Sequence, residues 1–295
     1  MTGKDKKVYA ILTAILLAVA ASWGLNGVYF NRGQLEKPVF LQHRIEAENG
    51  AGSSFILYRL QNRTDERRVE AIELPGIEVR GTTRIRHIEY RQQTLDGYML
   101  EIADTESPAA KVSDEQPIVV RKADVRYDDG SRETADIGEV RFYPPSAAPS
   151  DLLYAIGGGS SNRNTGHATL EAGAPVKILS LQSPYLEEAA GKLSLFWADS
   201  GTAYEPFDME QPAGDNPLAN LTLPKQVGKK HKTSLGYRFV DRDSRDWSTV
   251  YRLLPVMTVQ SGERTLDLRP ASIEDNPSPS ESQIRQFVRS GREKS

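Results

Sequence analysis

Two hydrophobic rhythms divide the chain. From residue 8 to residue 30 there is no charged side chain; from residue 38 onward apolar and polar positions alternate in short runs. At about 1.5 Å per helical residue the first run spans roughly 34 Å, enough for the ~30 Å hydrocarbon core of a bilayer. Val8, Ile11, Leu12, Ile15, Leu16, Leu17 and Val19 supply its apolar surface, and Trp23, Tyr29 and Phe30 are amphipathic rings of the kind that favour a headgroup boundary. No polar face runs along it, as a core helix of a soluble domain would have. The pattern predicts a transmembrane signal anchor over 8–30. Residues 1–7, with Lys4, Lys6 and Lys7, form a cytoplasmic tail and the bulk lies outside the cytoplasm, because long domains translocate largely regardless of flanking charge. A cleaved signal peptide is the competing reading, with Ala18-Val19-Ala20 as its cleavage pattern and secretion as its outcome. The uncharged run continues ten residues past Ala20, which favours the retained anchor.

The alternating part predicts strands throughout. Candidates are 38–46, 54–61, 69–74, one strand over 77–91 broken by a bulge at Gly81, then 98–103, 118–127 and 132–143. Asp96-Gly97 reads as a tight hairpin turn. At Asp128–Ser131 two registers compete. A two-residue Asp129-Gly130 turn pairs Val125 with Thr134; a three-residue loop pairs Val125 with Ala135. Turn chemistry favours the first and the apolar pattern the second. The proline-rich stretch 144–149 reads as a stiff linker between separable domains. Beyond it, 157–166 reads as a flexible glycine loop, and 151–156, 176–181, 192–198, 218–223, 233–240, 249–254, 256–259 and 264–268 as ordered, mostly strand, segments. From 270 the composition turns to Pro, Ser and acidic residues, predicting a disordered tail over 270–295. Within it Ser280 and Gln283 form a capping box for a short helix bearing Ile284, Phe287 and Val288. The fold class that follows is all-β: an N-terminal transmembrane helix, then two immunoglobulin-like β-sandwich domains at 34–144 and 150–269.

Composition narrows the function classes. The chain has 295 residues, net charge −3 and no cysteine. That charge leaves no nucleic-acid footprint, and a long exported chain without disulfides reads as a bacterial envelope protein held by its cores. None of the four histidines, His43, His87, His167 and His231, lies at metal-ligand spacing with another. The carboxylates of 241–246 are interrupted by arginines and lack a calcium loop's glycine. No phosphate loop or nucleophile elbow occurs. The expectation is no catalytic residue, no metal and no cofactor. The densest cationic cluster, Lys225, Lys229, Lys230, His231 and Lys232, marks a contact for an anionic surface. The function expected is a non-enzymatic binding or scaffolding module of the cell envelope, whose partners are membrane lipid through the helix and an envelope protein or anionic wall polymer. A membrane-tethered hydrolase of envelope glycan or peptide, or an extracytoplasmic sensor, are the alternatives.

Overall fold

The apolar run forms one uninterrupted helix, α1 (Gly3–Arg32), in a computed structural model that describes residues 3–50, 52–103, 116–145, 151–160, 164–199, 216–240 and 246–292. Its stretch Leu12–Arg32 has a mean hydropathy of 1.5, is long and apolar enough to cross a membrane, and buries nothing against the rest of the protein. Leu12, Ile15, Leu16, Leu17, Val19 and Trp23 are all exposed, Trp23 by 78%. Val8 and Ile11 lie on the same helix, with side chains outside the described residues.

Eight strands follow: β1 (Val39–Phe40), β2 (Gln42–Glu48), β3 (Ser54–Asn62), β4 (Val69–Glu73), β5 (Val79–Glu89), β6 (Gln93–Ile102), β7 (Ile118–Tyr127) and β8 (Arg132–Tyr143). They pair as β1-β3-β6-β5 and as β2-β8-β7-β4, with β2 parallel to β8. The two sheets close over Phe55, Leu57, Leu100, Val125, Val140 and Phe142. The second half holds β9 (Leu153–Ser160), β10 (Thr165–Ala172), β11 (Val176–Gln182), β12 (Leu193–Asp199), β13 (Lys225–Val227), β14 (Lys232–Phe239), β15 (Thr249–Leu253), β16 (Val256–Ser261) and β17 (Arg264–Leu268). Its sheets run β12-β14-β10-β9 and β13-β11-β16-β17 around Leu170, Ile178, Leu195, Met257 and Val259. Both halves follow the immunoglobulin layout, an ABED sheet facing a CFG sheet. The strands β1, β3, β6, β5 and β9, β10, β14, β12 take the first role; β4, β7, β8 and β11, β16, β17 take the second. The expected all-β sandwiches are therefore the fold found, and with no cysteine in the chain no disulfide bridges their sheets.

The two halves are not beads on a linker. β15 pairs in parallel with β2, and β18 (Ile273–Glu274) pairs with β15, so one sheet runs β18-β15-β2-β8-β7-β4 through both. A third apolar cluster spans the same junction. It joins Leu41, Tyr58, Leu60 and Leu95 to Trp247 and Val250 and to Ile284 and Val288 of helix α2 (Glu281–Arg292). Segment 270–292, expected to be disordered, is thus a strand and a docked helix. The compositional signal misled because twelve residues with few apolar side chains look unable to hold a helix, yet Ile284 and Val288 are both buried. The capping box is present: Ser280 N donates to Gln283 Oε1 at 2.6 Å and Gln283 N to Ser280 Oγ at 3.4 Å.

Four local expectations change. Asp96-Gly97 lies inside β6 rather than at a turn; the hairpin turns earlier in the chain, at 91–92, where Tyr90 N donates to Gln93 O at 2.9 Å. Gly97 fits a tight place: a Cβ there would stand 3.1 Å from both the Arg86 Cβ and the Tyr58 ring. Residues 157–160 are strand, not loop, since the β10 ladder pairs them from Gly157 to Ser160. Segment 218–223 is turn, bracketed by prolines 217 and 224, with the strand deferred to Lys225. At the β7–β8 hairpin neither expected register holds: Val125 pairs with Glu133 across a three-residue loop, and Gly130 adopts φ +81°. The register shifts between Val120 and Lys122, and β8 switches its buried positions at Ile137-Gly138. Beyond the bulge the register of the apolar pattern returns, pairing Val120 with Val140, while the turn keeps a register of its own.

Candidate functional site

The cationic cluster occupies the link from β13 to β14, which carries the chain from one sheet of the second sandwich to the other. His231 N donates to Gly228 O at 2.9 Å and Lys230 N to Ala172 O at 2.6 Å, closing a tight turn. Lys230 adopts φ +61° there. The turn is close-packed: a Cβ at Gly228 would stand 2.5 Å from His231 Nδ1. The five residues are therefore brought together, but unequally. Lys225 lays its Nζ 5.5 Å from the Trp197 ring centroid. Lys232 Nζ stands 3.9 Å from Glu171, whose other carboxylate oxygen accepts from Tyr154 Oη at 2.8 Å. Lys229, Lys230 and His231 are exposed, and among the described residues neither Lys229 nor Lys230 makes an ion pair.

The turn lies at the far end of the second sandwich from α1. β14 leaves it at Lys232 and ends at Phe239, whose N donates to Asn164 O. Asn164 Oδ1 accepts from Asn276 N, and Asn276 Oδ1 accepts from Tyr58 Oη at 3.0 Å, beside the third cluster. Seven rises of about 3.4 Å separate the two ends of β14, roughly 24 Å.

The junction gathers several buried polar groups, which the sequence did not announce. His43 is fully buried in β2; its Nδ1 donates to Ile137 O and its Nε2 accepts from Tyr58 N, both at 2.9 Å. Burial pushes its pKa down to about 4. Glu46, three residues on, accepts from Ser183 Oγ at 2.8 Å and Leu254 N at 3.0 Å, and burial pushes its carboxyl pKa up. Lys192 Nζ meets Asp275 Oδ2 at 2.8 Å with both side chains buried. Beside them a cleft of about 160 Å³ is lined by Phe55, Tyr58, Val250, Arg252, Glu274 and Asp275. Glu274 is held by Arg252 at 3.2 Å. In the first sandwich His87, half-exposed, sets Nδ1 2.6 Å from the buried Asp96 carboxylate. Among the described residues no three His, Asp or Glu side chains gather as a metal would require; 241–245 lies outside them.

No protein-family model matches the chain, and no curated protein does. Among solved structures it is similar to the crystal structure of a chicken TCR, at 11% identity over 77% of this chain and 97% of that one, with a TM-score of 0.18. That likeness carries no argument; the immunoglobulin-like class rests on strand order.

Proposed function

We propose that the protein is a single-pass, membrane-anchored binding or scaffolding module whose fused immunoglobulin-like units stand outside the cytoplasm and engage an envelope partner of anionic character, such as a wall polymer. The observation that carries this is the position of Lys229 and Lys230: exposed, without ion pairs among the described residues, and at the opposite end of β14 from Phe239, whose contacts run through Asn164 and Asn276 to Tyr58 beside the third cluster. That placement sets the turn away from the membrane that α1 would span and toward whatever lies beyond it. The junction cleft supports catalysis less well. Its volume of about 160 Å³ falls below the ~300 Å³ where ligand pockets begin, and Glu274 and Asp275 are engaged by Arg252 and Lys192.

The test uses the full chain in zwitterionic nanodiscs with poly(glycerol phosphate) as probe. Each basic residue near an anionic surface contributes about 1 kcal/mol at most, so Lys229→Ala with Lys230→Ala should weaken binding by up to about thirty-fold, and added salt should erase the difference. Equal affinity of the double variant and the parent at low salt would reduce the turn to a solvated connection.

A further inference from the structure

The end of the molecule where α1 enters carries a second charged surface, opposite in sign to the chain as a whole. The exit from α1 is clamped to the first sandwich. Gln93 Nε2 donates to Gly33 O at 2.7 Å, and Asn62 grips Leu35 from both sides, its Oδ1 accepting from Leu35 N and its Nδ2 donating to Leu35 O, each at 2.8 Å. Arg91 extends from the β5–β6 turn to 5.9 Å above the ring of Tyr29, one turn before the end of α1. The same residue's backbone N donates to Glu281 at 2.9 Å, at the first turn of α2. Tyr90 Oη holds Pro279 O at 2.8 Å. Helix α2 then packs Ile284 and Val288 inward, in one cluster with Leu35 and Val39. Its outward face presents Arg285, Gln286 and Arg289, all exposed. With Arg32 and Arg91 this makes four arginines around the base of the anchor, against Glu36 and Glu281; Glu281 lies 4.0 Å from Arg285. The full chain has a net charge of −3.

We infer that this face of α2 docks on the anionic lipid headgroups of the bilayer that α1 crosses, holding the fused sandwiches at a fixed inclination to the membrane. The inference rests on the membrane-spanning reading of α1. Its chemistry is simple: arginines on a helix whose first turn is bonded to Arg91, itself over Tyr29 of the anchor, meet phosphates, and the attraction falls off within a Debye length. The buried apolar side keeps α2 from inserting as an amphipathic helix would, because Ile284 and Val288 are already committed to the protein.

Because the chain has no cysteine, Gln286→Cys gives a single spin-label site on α2 and Glu263→Cys a control in the β16–β17 turn. The full chain is placed in nanodiscs of phosphatidylcholine alone or with about 30% phosphatidylglycerol, and collision with an aqueous nickel chelate is measured. At about 50 mM salt, label accessibility at 286 should fall about threefold or more in the anionic discs, recover at about 500 mM, and stay constant at 263. Arg285→Gln with Arg289→Gln should abolish the difference between lipids. A chain that does not incorporate into either disc overturns the membrane-spanning reading itself. Incorporation with equal accessibility at 286 in both lipids, or a drop that survives high salt, overturns the docking alone. The salt series needs no substitution at the arginines, so it decides the matter even if the double variant loosens α2, which the emission of Trp247 reports.

Discussion

His43 makes the residue scale quantitative. Its Nε2 can accept from Tyr58 N only while unprotonated, and burial holds its pKa at about 4, against about 6.5 for a free imidazole. Between those values the unfolded chain takes up a proton that the folded ring refuses, so stability falls as pH drops through the window, by roughly 3 kcal/mol in all. Glu46 acts with the opposite sign. Its raised pKa means the folded carboxyl keeps its proton above the pH at which the unfolded one releases it, a contribution that grows on acidification. Urea unfolding from pH 7 to pH 4 should therefore be compared between the parent and His43→Gln, so that the Glu46 contribution cancels. The variant should show a flatter fall with acid; parallel curves would remove His43 as the cause. Burial at this position was hinted at by the strand pattern, since His43 follows Val39 and Leu41 in the same phase. Nothing comparable marked Glu46, whose partners Ser183 and Leu254 lie more than 130 residues away along the chain.

At the scale of elements, α2 is the part most dependent on context. Twelve residues of this composition would not stay helical alone; Ile284 and Val288 hold it against Trp247, whose ring centroid lies 5.2 Å from that of Phe287. Ile284→Ala should cost about 2–4 kcal/mol and shift Trp247 emission to the red. An unchanged spectrum would mean the helix contributes no cover. Strands were legible where side chains alternate cleanly, as in Ala123, Val125 and Tyr127, because one face meets a core. They were not legible in β9, where Gly157, Gly158 and Gly159 show no pattern and a neighbouring ladder supplies the order. The β7–β8 hairpin shows the limit of local signals: two sound rules predicted different registers, the turn took a third, and Gly138, packed against the backbone of His43 with φ +82°, lies in the bulge beyond which the apolar register returns. In the cationic turn, the spacing of the lysines was visible but their engagement was not. Trp197 and Glu171, which occupy Lys225 and Lys232, come from other strands.

At the scale of the whole molecule, the shared sheet sets the unit of folding. Each sandwich has its own core, yet β2 is flanked by β8 on one side and β15 on the other. Calorimetry of the full chain should show one transition rather than two, and a cut within 146–150 should yield halves that remain associated. Two resolved transitions, or halves that part and each unfold cooperatively, would show the sandwiches to be independent after all. The parallel pairing of β2 with β15 also has a consequence in time. A ribosome delivers Tyr143, the end of the strand that flanks β2 within the first sandwich, about 100 residues before Thr249, which at 5–20 residues per second is roughly 5–20 s. Throughout that interval the first sandwich displays the bare flank of β2, an open ladder that any passing strand can extend. The chain is thus born with an adhesive edge, and the strand that covers it is among the last to arrive.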